Sequence, residues 1–360
     1  RAQLYPAALL PPGAVVGDGC PVQAGTENPC RLRRPGQHGA GGRGVQQLGI
    51  RTDGGLSAPE QMLDLPDTIM AASMVSAGNQ SLLFTSSLVD PGVQCWLPQE
   101  NGSMDLIETL PMGAMAGGHD LVAMVSVSRA DDTIVLVASA TQDTVTALRV
   151  TSDGSVAMSD VLRSGDAMWI DAPTQLASLR VEGVDYVLIG AAGTNSIVVA
   201  QLDGEGTLTV TDQVNDSRDT RFAGITVLKT FEVNGHGFVL AGGGDDGLSL
   251  LRLLPGGRLL HQQSLADDLI MSLEDVASLT VHVSGQQVSV YVAGEGSTEI
   301  SRLNIDLEDL RQSVTGDTGD NTLSGGRFDA DLSCGAGKET VFGWRGDGGM
   351  HDGSGSEDLL

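Results

Sequence analysis

At 360 residues the chain can bury a large core and is long for one ordinary domain, so two regions are expected. Asp and Glu number 46 against 20 Lys and Arg, a formal charge of −26. Only Arg31, Arg33 and Arg34 cluster, which excludes nucleic acid and anionic membrane surfaces as partners and favours divalent cations.

Residues 1–44 read as an irregular or atypical segment. Pro11, Pro12 and the Gly-rich run Gly39–Gly44 argue against regular strands there. Arg1 stands where an initiator Met would, and Leu360 falls within a repeat pattern, so both ends read as possible cut points of a longer chain. The start lacks the charged-then-apolar order of a secretory signal, and no run approaches the roughly 18 to 20 apolar residues of a membrane helix, so no transmembrane segment is expected. Cys20 and Cys30 could close a short disulfide or remain thiols. Neither they nor Cys95 and Cys334 have the spacing of a zinc site.

From residue 45 to 312 one apolar core recurs: Leu82–Thr85, Val135–Ala138, Val187–Gly190, Val239–Gly242 and Val290–Ala293, with starts 51 to 53 residues apart. A small turn keeps nearly the same step, at Asp53-Gly54, Asn101-Gly102, Asp153-Gly154, Glu205-Gly206 and Gly256-Gly257. Between the marks lie half-buried strand patterns such as Thr144–Val150, Ser196–Leu202 and Leu248–Leu253. A unit of about 50 residues with three or four short strands is one propeller blade, because a lone four-stranded sheet cannot cover both its faces. With Asn304–Glu308 falling where a sixth turn belongs, the prediction is an all-β chain whose 45–312 region is a repeat-built β-propeller of about six blades. A two-sheet sandwich or a solenoid is the alternative. This stretch resembles the lactonase-like and related bacterial propellers; its motifs are generic and speak to fold more than to activity.

Residues 313–360 divide into nonapeptides beginning at Gly316, Gly325, Cys334, Gly343 and Asp352. The eighth position is always apolar: Leu323, Leu332, Val341, Met350 and Leu359. The pattern resembles Gly-Gly-x-Gly-x-Asp-x-apolar-x, the RTX or hemolysin-type repeat. That resemblance implies a parallel β-roll whose Gly-rich turns hold calcium, with Gly319, Asp320, Asn321, Asp329, Gly337, Glu339, Asp347, Gly355 and Glu357 as candidate metal positions. It departs from the pattern at the sixth position, where Asn321, Ala330, Glu339, Gly348 and Glu357 replace Asp. Asp320, Asp329 and Asp347, one residue earlier, are the compensating carboxylates.

No HExxH helix, GxSxG elbow or phosphate loop is present, and the run Gly242–Gly247 reads as a blade turn. Asp245, Asp246, His236 and Glu295 are conceivable members of a site at a channel mouth. The aromatic content of 3% gives little support to a sugar-stacking platform. The favoured function is a secreted, extracellular calcium-binding protein: the roll folds on calcium, as the RTX resemblance implies for type I secretion, and the propeller is a platform for an extracellular protein or carbohydrate ligand. The alternative is a lactonase-like propeller hydrolase carrying the same tail.

Overall fold

The computed structural model describes strands at Gln3–Leu10 (β1), Pro29–Leu32 (β2), Val45–Gly49 (β3) and Glu60–Leu63 (β4), then residues 69–359 except 79, 88–91, 100–103, 113–120, 166–168, 234, 269–270, 272, 285–286, 296–299, 307–310, 325–328, 337, 343–349 and 352–355, with side chains over most of this second stretch. It divides into two compact units, Pro6–His282 with Val290–Arg302, and Arg1–Tyr5 with Val283–Ser289 and Leu303–Leu360. Among the described residues no helix is long and apolar enough to cross a membrane.

Most of the first unit is built from successive antiparallel meanders. β2, β3 and β4 form a three-stranded sheet, and four-stranded sheets follow. One contains β5 (Ile69–Ala77), β6 (Gln80–Ser87), β7 (Val93–Pro98) and β8 (Met104–Leu110); the next contains β9 (Leu121–Ser128), β10 (Asp132–Ser139), β11 (Thr144–Thr151) and β12 (Val156–Arg163). Then come β13 (Pro173–Val181), β14 (Val184–Ala191), β15 (Ser196–Leu202) and β16 (Leu208–Asn215), and β17 (Val227–Val233), β18 (His236–Gly242), β19 (Gly247–Leu254) and β20 (Arg258–Ala266). The last sheet joins β21 (Val276–Ser284), β22 (Gln287–Gly294) and β23 (Ile300–Asp306) to β1 in the order β1-β23-β22-β21. These sheets form a β-propeller.

The recurring apolar core is the second strand of each sheet. β10 shows why it reads as an unbroken apolar run. Val135 and Val137 pack with Phe84, Val93 and Leu82 of the preceding sheet, whereas Ile134, Leu136 and Ala138 pack with Val187, Ile189 and Val198 of the following one. Side chains alternate faces along a strand, and here both faces are buried, so no position is left for a polar residue. Tyr186 and Leu188 repeat the arrangement against Val239 and Leu251. Each such side chain contributes about 1.5–3 kcal/mol by burial.

The outer strands carry a second repeated device. A bulge places Ser159 in β12 and Thr211 in β16 opposite the preceding strand's ladder. The Thr211 hydroxyl donates to the Gly257 carbonyl at 2.9 Å, and Asp212 Oδ2 accepts the Leu259 N–H at 2.7 Å. One sheet earlier, Ser159 lies 3.1 Å from the Gly206 carbonyl and Asp160 Oδ2 accepts the Leu208 N–H at 2.8 Å. Each bulge thus latches the third-to-fourth-strand turn of the next sheet. Gly257, at φ +80, is required there: a Cβ would strike the Thr211 hydroxyl and the Tyr186 ring. The corresponding residue of β8 is Ile107, exposed and without a hydroxyl.

Residues 1–44, read as irregular or atypical, hold two strands among the described residues. β2 belongs to the three-stranded sheet, and β1 completes the last sheet as its edge strand, a position that tolerates Pro6. The turn marks at Asp53-Gly54 and Asn101-Gly102 lie outside the described residues.

In the C-terminal unit strand direction changes. β24 (Arg311–Thr315), β26 (Asp329–Ser333) and β28 (Met350–His351) form one parallel sheet; β25 (Thr322–Ser324), β27 (Lys338–Phe342) and β29 (Ser356–Leu359) form another. Partners are 18 residues apart throughout, as in Val314 with Leu332, Leu323 with Val341, Leu332 with Met350 and Val341 with Leu359. The chain therefore coils, visiting the two sheets in turn, and each circuit uses two nonapeptides. Leu323, Leu332, Val341 and Cys334 are buried together in its core.

Candidate functional site

In a four-stranded meander the loop between the second and third strands and the loop leaving the fourth strand emerge at the same end of the sheet. That end is built by a repeated clamp. Asp143, Asn195 and Asp246 each precede a third strand with left-handed backbone, at φ 53, 47 and 53. Their side-chain Oδ1 atoms accept N–H bonds from Ala172 (2.9 Å), Gly224 (2.6 Å) and Asp275 (3.0 Å), in the loop entering the next sheet. Their carbonyls accept from Ser164, Asp216 and Asp267, just past the fourth strand. Asp and Asn suit the position because they tolerate positive φ and offer a short acceptor.

Asp245 sits one residue before the third clamp, in the loop joining β18 to β19. The Gly244 N–H donates to the Ala223 carbonyl at 2.8 Å, which pins this loop to the segment between β16 and β17. Asp216 and Arg221 come from that segment. Asp216 Oδ1 accepts the Thr220 hydroxyl at 2.8 Å and the Phe222 N–H at 3.2 Å, and the Arg221 N–H donates to the Ser249 hydroxyl at 2.7 Å. Asp245 is half-buried, and its Oδ1 is inaccessible and makes no hydrogen bond. Burial, together with repulsion from Asp216, pushes its carboxyl up to about 6 against the pull of Arg221. It can therefore hold or release a proton near neutrality.

Of the sequence candidates, Asp246 and Glu295 share this end with Asp245; the Glu295 N–H donates to the Asp275 carbonyl at 2.8 Å. His236 does not. It opens β18 at the opposite end, with Nδ1 2.8 Å from Arg252 Nη2. Asp216 and Arg221 were not singled out from sequence; the 51- and 52-residue spacing of Asp143, Asn195 and Asp246 was the available signal for this end of the sheets.

In the coil, Gly319 and Asp320 are exposed and Asn321 half-buried, on the turn between β24 and β25. Asp329, Glu339 and Glu357 occupy strands β26, β27 and β29, and their side chains lie outside the described residues, as do Gly337, Asp347 and Gly355. Among the described residues no group of three His, Cys, Asp or Glu is placed to hold a metal ion. Cys95 and Cys334 are buried, and burial, with the Glu108 charge, raises the Cys95 thiol to about 11, far from a reactive thiolate. Cys20 and the Cys30 side chain lie outside the described residues.

No protein-family model and no curated protein matches the chain. Among solved structures, a protein from Lactobacillus plantarum is similar at 13% identity and TM-score 0.53, covering 75% of this chain and 80% of that one. The likeness is one of fold. The periplasmic gluconolactonase of Pseudomonas aeruginosa covers the same shares at 15% identity, with a TM-score of 0.48. The first comparison supports the propeller; the second is too distant to carry an argument.

Proposed function

We propose that the propeller is a hydrolase of the lactonase-like type whose reacting end carries Asp245. The observation behind this reading is a half-buried carboxyl at the loop end of the sheet, pushed up to about 6 by burial and by Asp216 against the pull of Arg221. Above pH 6 the carboxylate takes a proton from water as that water attacks the carbonyl carbon of a cyclic ester. The Arg221 guanidinium offsets charge on the carbonyl oxygen. The ring C–O bond then breaks, the leaving alkoxide recovers the proton from Asp245, and a hydroxy acid results. An acidic loop end favours an uncharged substrate, which suits a lactone over a phosphate ester. Hydrolysis of a panel of lactones and simple esters by the full chain, compared with Asp245→Asn, tests this. Turnover lost in the variant supports it, and equal turnover or none in either refutes it.

A second reading concerns residues 313–360: a β-roll of the RTX type that folds on calcium once the protein is outside the cell. The 18-residue parallel register and the buried Leu323, Leu332 and Val341 favour it. At the fully described turn, 316–321, the Oδ1 atoms of Asp317, Asp320 and Asn321 already accept amide groups. In this reading calcium belongs with Asp329, Glu339, Asp347, Glu357, Gly337 and Gly355. Calcium titration of the full chain followed by circular dichroism tests it, and a signal blind to about 10 mM calcium would count against it.

A further inference from the structure

The turn 316–321 is closed by a reciprocal pair. Asp317 Oδ1 accepts the Gly319 N–H at 2.8 Å and the Asn321 side-chain amide at 3.1 Å, while Asn321 Oδ1 accepts the Asp317 N–H at 2.8 Å. The turn is also tied to the next circuit of the coil. Asp320 Oδ1 accepts the Lys338 N–H at 2.9 Å, and the Asp317 and Asn321 carbonyls accept from Ala336 and Thr340 at 3.0 and 2.9 Å. Gly335 lies so close beneath the Asp317 carbonyl that a Cβ there would overlap it.

We propose that the Asp317–Asn321 pair takes the place of a cation in this turn, so that the first circuit of the coil forms without metal and presents a folded edge to those that follow. A carboxylate at 321 would face Asp317 with like charge at hydrogen-bond distance and would need a cation between them. The amide of Asn321 supplies a donor instead, and the same residue returns an acceptor to the Asp317 N–H. The pair departs from the sixth-position carboxylate of the repeat pattern and assigns Asn321 a role other than metal ligand. It deepens the calcium reading of the coil but does not require it.

The test is hydrogen exchange of the full chain, followed by mass spectrometry in chelator and in calcium, over segment 314–324. Protection in the native protein is expected to be the same in both. Asn321→Asp is expected to speed exchange in chelator by about tenfold or more, the scale of losing a hydrogen bond to a charged group. Asp317→Asn, whose Oδ1 still accepts both amides, is expected to stay within about threefold. Protection that requires calcium in the native protein overturns the proposal, and so does an Asn321→Asp variant that exchanges at the native rate in chelator. Failure of the calcium reading would show elsewhere, as the absence of any calcium effect over 325–333 and 343–351. The comparison of the native chain with Asn321→Asp in chelator still decides this proposal.

Discussion

Asp245→Asn is expected to stabilise the protein at neutral pH while abolishing the proposed hydrolysis. The folded-state carboxyl titrates at about 6, above its ordinary 3.8, so the fold binds the proton more tightly than the unfolded chain does. Stability from this group is therefore fully present below about pH 4 and is lost as pH rises through 6. An unscreened shift of that size corresponds to about 3 kcal/mol. Asp245 is only half-buried, and solvent screening reduces the usable figure to about 1 kcal/mol. Asn mimics the protonated acid in shape and charge, so the variant and the native protein are expected to unfold alike at pH 4. At pH 7.5 the variant is expected to be more stable by about 1 kcal/mol, a shift of about 2 °C in Tm. Thermal or urea unfolding at half-unit pH steps reads the difference directly. A variant less stable than native at pH 7.5, or a difference that does not change between pH 4 and 7, would refute the assignment of the strained carboxyl.

Gly257→Ala is expected to cost about 2 kcal/mol or more, because it combines a positive φ with loss of the Thr211 latch; urea unfolding measures it, and a cost below about 0.5 kcal/mol would argue against the latch. Leu323→Asp buries a charge in the coil core and is expected to remove protection over β25 and β27 by hydrogen exchange, with or without calcium. Glu339→Ala combined with Glu357→Ala is expected to weaken the calcium response of the coil in circular dichroism; an unchanged midpoint would remove these two residues from the ligand set.

The repeat was legible because geometry leaves a mark on sequence wherever both faces of a strand are buried. β10 has no polar position between Ile134 and Ala138, and β14 and β18 follow it at steps of 52 residues. The turns were legible at Gly154, Gly206 and Gly256, where φ is positive. What could not be read was which turns share an end. His236 and Asp245 are neighbours in sequence, yet a seven-residue strand, about 23 Å long, stands between their loops. The fourth strand of the last sheet was hidden for a different reason: its partner, β23, follows about 290 residues later, and no local pattern announces a pairing of that range. In the coil, spacing gives the apolar slots, whereas the bonding of Asn321 to Asp317 through both its oxygen and its nitrogen has no mark in the repeat pattern.

The position of β1 imposes an order of events on the making of this protein. During synthesis from the N-terminus at about 5–20 residues per second, β1 emerges well before its partner and waits roughly 15–60 s for the strand beside it. Throughout that interval its backbone donors and acceptors lack their native partners, the condition under which a strand can pair with another chain. The sheets from β5 to β20 pair only within themselves and can form as they appear. The slowest step is thus expected to be one of long-range closure, in which an early strand is captured by one made about 290 residues later.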